Sequence, residues 1–136
     1  TQLVQNGARL VATNTDMTSP SDRGIIPACR ALVAPIELAT GKQAYFIGKP
    51  NPLMMRTGLK KLGVHSEDAV MIGDRMDTDI IAGVETGLET VLVMTGVSTM
   101  ETVKQFPYRP HYILNGIGDI VPKSQSGNTV STGKKE

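Results

Sequence analysis

An α/β fold with a parallel sheet is what this sequence predicts, on three observations. From Gln43 onward, short apolar runs alternate with amphipathic stretches of helical period. Glycines stand where those helices should stop. Two of the apolar runs end in a charged residue just where a helix begins, which is how open α/β sheets build ligand sites at the carboxyl ends of their strands.

The elements follow in order. Leu10 to Thr13 reads as a strand, and Asn14 to Gly24, rich in Thr, Ser, Asp and Pro, as a polar loop. Pro27 starts a helix through Ala31, Leu32, Ile36 and Leu38 that Gly41 stops. Pro35 inside it removes a backbone bond and crowds the preceding turn, so a kink is expected. A strand at 44–47 precedes a helix at 53–62 that Gly63 stops, then come a strand at 69–73, a helix at 78–86 stopped by Gly87, and a strand at 90–94. Thr78 or Asp77 is the expected cap of the 78–86 helix, and Ser98 with Glu101 suggests a capping box for a helix reaching Phe106. His111 to Leu114 is the last strand, and Lys123 to Glu136, polar and without apolar period, reads as a disordered tail.

Composition narrows the function classes. With 136 residues one domain is expected, and 14 basic against 13 acidic residues argue against nucleic-acid or anionic-membrane partners. Aromatic residues are few and tryptophan is absent, so the core must be built from Val, Ile, Leu, Met and Ala, with Met54, Met55 and Met71 among its expected members. Cys29 is the single cysteine, which excludes an internal disulfide, fits a reducing cytoplasmic setting, and reads as a small buried apolar residue. No stretch is long enough for a membrane span, and no signal peptide is visible. His65 reads as a solvated turn residue, His111 is given no chemistry, and the incomplete glycine pattern at Asn115-Gly116-Ile117-Gly118 gives a dinucleotide fold little support.

The chemistry concentrates at two strand-to-helix junctions. Ala69-Val70-Met71-Ile72 is apolar throughout and reads as a strand covered on both faces, delivering Asp74 to its carboxyl end. Asp79, in the first turn of the next helix, points back toward it. Two converging carboxylates repel unless a lysine or a hard cation neutralises them, and oxygen ligation with few protein ligands suits Mg²⁺. By themselves, Asp74 and Asp79 are equally well read as a solvated loop and a helix cap. Lys49, in Gly48-Lys49-Pro50-Asn51-Pro52, sits at the other junction, where the helix dipole disfavours a cation unless an anion lies between them. Alone it is an ordinary surface lysine on a turn; together the two junctions favour an anion site.

Ile47-Gly48-Lys49-Pro50, followed after one amphipathic helix by Val70-Met71-Ile72-Gly73-Asp74 and Thr78-Asp79-Ile80, resembles the third and fourth motifs of the haloacid dehalogenase (HAD) superfamily, and more closely its NagD / p-nitrophenylphosphatase branch. Ala12-Thr13-Asn14-Thr15-Asp16 is similar to the cap-domain loop of that branch, and Ala82-Gly83, Gly87-Leu88-Glu89-Thr90 and Thr95-Gly96-Val97 also fit it. The likeness runs from about Gly7 to about Val121. It implies a partial three-layer α/β/α HAD-like parallel sheet with a remnant of an α/β cap: residues 1–41 cap, 42–122 the distal half of the core, 123–136 tail. It also implies Mg²⁺-dependent hydrolysis of a phosphorylated small molecule. Lys49 would neutralise charge, Asp74 would hold the metal with Asp79 in its outer sphere, and Asn14, Asp16 and Asn51 would contact substrate.

In such enzymes an aspartate of a D-x-D-G-T-like motif on the first core strand attacks phosphorus. Before Lys49 this chain has only Asp16, Asp22 and Glu37 as acids, none in that arrangement, and Asp77-Thr78-Asp79 lies inside the fourth motif. The expectation is the carboxyl-terminal half of a phosphatase, inactive alone and binding Mg²⁺ weakly, with a truncated interaction module as the alternative. In the family the strand carrying Asp74 lies at the centre of the sheet. An open flank along Ala69 to Ile72 should therefore drive homo-oligomerisation or pairing with a complementary amino-terminal half.

Overall fold

The computed structural model describes residues 1–120; the tail expected at 123–136 lies outside the described residues. After a short helix α1 (Gln2–Gln5), strand β1 (Val11–Ala12) leads to a hairpin of β2 (Thr18–Ser21) and β3 (Gly24–Pro27). Helix α2 (Cys29–Thr40), strand β4 (Tyr45–Phe46) and helix α3 (Pro52–Leu62) follow. The carboxyl-terminal part comprises β5 (Val70–Gly73), a π-helical turn (Met76–Ile80) running into α4 (Ile81–Thr86), β6 (Glu89–Val93), α5 (Met100–Gln105) and β7 (Tyr112–Leu114).

Every pairing outside the hairpin is parallel. The main sheet has the order β5-β6-β7, with Met71 opposite Thr90 and Leu92 opposite Ile113. A separate pair joins β1 to β4, Val11 opposite Tyr45, across the boundary expected at 41/42. The alternation of strand and helix thus gives the parallel α/β architecture expected. The three glycine stops close their helices in the left-handed region, at φ 66° (Gly41), 70° (Gly63) and 76° (Gly87), where a residue bearing a Cβ is strained.

Several local expectations change. The loop expected over 14–24 contains a β-hairpin, Thr18 opposite Pro27, so Pro27 ends a strand and Ala28 caps α2. Helix α2 runs unbroken through Pro35, from Cys29 to Thr40. The helix expected at 78–86 begins two residues earlier as the π turn, capped by Arg75, so neither Asp77 nor Thr78 is its cap. The capping box moves one residue on, because Thr99 accepts from the Thr102 backbone N–H while the Thr102 hydroxyl accepts from that of Thr99. Ser98 is buried instead, its hydroxyl accepting the Met76 N–H at 3.1 Å.

The core sits between the main sheet and the helices after β5. Met76, Ile80, Leu92 and Val103 form its centre, flanked by Met94, Phe106 and Tyr108. Strand β6 is the covered strand, buried from Thr90 to Val93. Strand β5 is not: among the described residues it pairs on one side only, and Val70 and Ile72 are 51% and 40% exposed, so the expectation of cover on both faces fails. The Met54 side chain is likewise exposed rather than buried, and with Met55, Leu59 and Leu62 it lines an apolar groove of about 250 Å³ against Val70 and Met71.

Candidate active site

Two backbone turns bring the charged candidates together. Lys49 follows β4 and Asp79 lies in the π turn after β5, 30 residues away, yet Lys49 Nζ sits 2.5 Å from Asp79 Oδ1. The Asp79 carboxylate is 5% exposed and its other oxygen accepts the backbone N–H groups of Asp74 and Arg75, each at 3.1 Å. The π turn makes this possible: Asp79 N and Ile80 N both donate to Arg75 O, folding the Asp79 side chain back over the end of β5. Gly73 leaves the room, since a Cβ there would lie 2.3 Å from Asp79 Cβ and Cγ.

Asp74 is half-buried beside this pair. Its Oδ2 accepts the Val97 N–H at 2.9 Å, and its carbonyl accepts the Ser98 N–H at 3.1 Å, so the segment after β6 fixes the carboxylate. The two carboxylates therefore do not meet head on. Asp79 is neutralised by Lys49 and by two amides, and Asp74 is held by a third amide.

The loop after β1 closes one side. The Asn14 side chain donates to Asp16 Oδ2, and the Thr15 hydroxyl donates to the Lys49 carbonyl at 3.3 Å. Asn51 has a different part: its Oδ1 accepts the Leu53 N–H and its Nδ2 donates to the Phe46 carbonyl, so both ends of the amide cap α3 and tie it to β4. Of the six candidates, Lys49, Asp74 and Asp79 share one cluster, Asn14 and Asp16 stand next to it, and Asn51 serves the fold.

Arg75 went unremarked in the sequence. Its guanidinium grips Asp77 through two bonds of 3.0 and 2.7 Å, and that pairing raises its pKa further. The signal was a lone arginine flanked by carboxylates at 74, 77 and 79. Cys29 also departs from expectation. It is partly exposed at the first position of α2, and the Thr13 hydroxyl, 3.3 Å from its sulfur, together with the Asn14 backbone, lowers its pKa. His111 accepts the Thr90 N–H at 3.1 Å and bonds the buried Thr90 hydroxyl, tying the start of β7 to β6. No group of three or more His, Cys, Asp or Glu that could hold a metal ion occurs among the described residues, and no helix there is long and apolar enough to cross a membrane.

The family model for HAD-hydrolase-like proteins matches residues 46–120, from β4 past β7. The chain belongs to the HAD-like hydrolase family. It is 51% identical over 118 residues to a dihydroxyacetone phosphatase of Corynebacterium glutamicum, covering 87% of this chain and 43% of that protein. To the ribonucleotide monophosphatase NagD of Escherichia coli K12 it is 44% identical over 117 residues, covering 86% of this chain and 46% of NagD. Among solved structures, E. coli NagD superposes with a TM-score of 0.78 at 43% identity, over 88% of this chain and 47% of that one. A 4-nitrophenylphosphatase from Thermotoga maritima gives 0.80 at 34% identity, over 86% and 45%. The fold is thus that of HAD-like phosphatases, and the chain spans somewhat under half the length of the relatives it matches.

Proposed function

We propose that this chain is the carboxyl-terminal part of a NagD-like phosphomonoester hydrolase and supplies the charge-balancing side of its phosphate site. The observation that supports this most directly is the Lys49–Asp79 pair, closed across 30 residues at the ends of β4 and β5. An ammonium carries three donors. One lies on Asp79, and the Lys49 side chain, 39% exposed, has two more to offer an anionic oxygen. Asp79, fixed by two amides, holds that ammonium in place before substrate arrives, so little reorganisation is needed when charge develops on a transferring phosphoryl group.

Mg²⁺ fits these residues only as a weak, mostly water-ligated ion. Asp74 would hold it through the oxygen that Val97 leaves free, while Asp79, already bonded at both oxygens, would act from outside the coordination sphere. When bound, the ion would screen phosphate charge. The attacking carboxylate, which this sequence does not offer in a D-x-D-G-T-like setting, would come from sequence outside these residues. The open edge of β5 beside Asp74 is where a further strand would both complete the sheet and reach the site. The substrate would be a small phosphomonoester, the class to which the names of the relatives point.

The test is hydrolysis of p-nitrophenyl phosphate with Mg²⁺, first by this chain alone and then with an amino-terminal half taken from a close relative. The expected result is no turnover alone, turnover on complementation, and loss of that turnover in Lys49→Ala and Asp74→Ala. Turnover by the isolated chain that Asp74→Ala abolishes would refute the claim that a carboxylate must be supplied. A non-catalytic interaction module has one observation in its favour, the apolar groove along Leu59, Leu62 and Val70. Light scattering bears on it, since a monomer at high concentration would leave that groove without a second copy of the chain as its occupant.

A further inference from the structure

We infer that Arg75 is a positioning residue that couples the Asn14–Asp16 loop to the Lys49–Asp79 pair, acting through Asp16. Four observations converge. Arg75 Nε stands 3.6 Å from Asp16 Oδ1, with the side chains 19% and 25% exposed. That oxygen is buried and has no hydrogen-bond partner among the described residues, while the other accepts from Asn14, so the guanidinium is the cation that balances it. The bidentate grip of Asp77 fixes the plane and position of the guanidinium, which would otherwise sweep a wide volume. The Arg75 backbone belongs to the site itself, its N–H donating to Asp79 and its carbonyl accepting from Asp79 and Ile80.

One residue thus holds the buried carboxylate of the pair through its main chain and the loop over that pair through its side chain. Among the described residues, Arg75–Asp16 is the one ion pair joining residues 1–41 to the rest. The loop has little freedom to settle elsewhere. The Thr13 carbonyl lies against Gly48, where a Cβ would approach to 2.1 Å, and the Thr15 hydroxyl bonds the Lys49 carbonyl. Removing the Arg75 charge leaves Asp16 with a buried, unbalanced oxygen, and the loop must then open to hydrate it.

The experiment is amide hydrogen exchange by NMR on the 136-residue chain, followed by titration with inorganic phosphate. The amides of Ala28 and Arg30 report on the loop, because they donate to the carbonyls of Met17 and Asp16 at 2.9 and 3.0 Å. Arg75→Gln should speed their exchange by about tenfold and leave the β6 amides unchanged, whereas the isosteric Asp16→Asn, which removes the charge to be balanced, should speed it less and, combined with Arg75→Gln, bring the double variant back below Arg75→Gln alone. Unchanged Ala28 and Arg30 amides, additive effects in the double variant, or equal acceleration in β6 would each overturn the coupling.

The phosphate step rests on the phosphate-site reading proposed above. Phosphate should shift the amides of Gly48–Lys49 and of Asn14–Asp16 in the unaltered chain, and only those of Gly48–Lys49 in Arg75→Gln. An equal loop response in both proteins would overturn the positioning role. Absence of any phosphate response in the unaltered chain would overturn the phosphate site instead, and the exchange comparison would still decide the role of Arg75.

Discussion

Replacing either member of the Lys49–Asp79 pair breaks the same contact, yet the two variants should differ sharply in stability. In Asp79→Ala the N–H groups of Asp74 and Arg75 lose their acceptor. An orphaned buried donor costs about 1–3 kcal/mol, and because residues 74 and 75 are only half-buried the lower part of that range applies to each. The freed ammonium is 39% exposed and adds less than about 1 kcal/mol once solvent screening is counted. The sum is about 2–4 kcal/mol. In Lys49→Ala, Asp79 keeps both amide donors, and truncation of the 39% exposed lysine opens its other oxygen to water, so the loss stays at about 1 kcal/mol. Asp79→Asn should fall between them, since one amide oxygen can retain both N–H bonds while its NH₂ faces the ammonium. Urea unfolding followed by far-ultraviolet circular dichroism, with m unchanged, gives the three values. A Lys49→Ala variant as destabilised as Asp79→Ala would refute the idea that the carboxylate organises the turn as well as the charge.

Further outcomes follow from the same geometry. Gly73→Ala should cost about 1–3 kcal/mol by overpacking against Asp79, and an unchanged thermal midpoint would show that the π turn moves aside easily. Ser98→Ala leaves the Met76 N–H without its partner in the core and should cost about 1–3 kcal/mol, more than Thr99→Ala at the exposed cap of α5, about 1 kcal/mol; paired denaturation curves compare them. The Cys29 pKa is lowered because the Thr13 hydroxyl favours the thiolate, so at a given pH more of it is ionised than of an ordinary cysteine. Iodoacetamide alkylation should reach half its maximal rate at lower pH than in Thr13→Val, and coincident profiles would contradict this.

The parts of the fold that were legible are those where one strong local preference acts. Gly41, Gly63 and Gly87 stop helices because only glycine takes a left-handed backbone without penalty, and each sits at the end of an apolar periodic run. The β2–β3 hairpin was missed because Gly24 to Pro27 is exposed at every position and β2 nearly so, so neither strand carries the alternation that marks a half-buried strand. At α5, Ser98 and Thr99 are both good caps by residue type, and the buried Met76 N–H decides between them by claiming Ser98. The cover of β5 was misjudged because an apolar run says that a strand prefers to be buried and cannot say whether a neighbour is there.

In the candidate site, Lys49, Asp74 and Asp79 were readable as charged residues at strand ends. Their division of labour was not. Whether two carboxylates face each other or turn to separate amides depends on the π turn and on Val97, which lies 23 residues after Asp74. Asn51 shows the converse, a polar residue beside Lys49 whose amide oxygen caps α3 while its nitrogen donates to the Phe46 carbonyl at the end of β4.

The wide turn from Met76 to Ile80 also makes the count of residues in that stretch inflexible. Each residue of the α-helix that follows advances the chain by about 100°, so inserting one between Arg75 and Ile80, where the turn is already wide, would swing everything after it by that angle. Ile80 and Ala82, both 0% exposed, would rotate out toward water as Asp79 left its amides, coupling a one-residue indel to the loss of core and site together. At the hairpin tip around Asp22 and Arg23, where the residues are exposed, the same change in length would be absorbed locally.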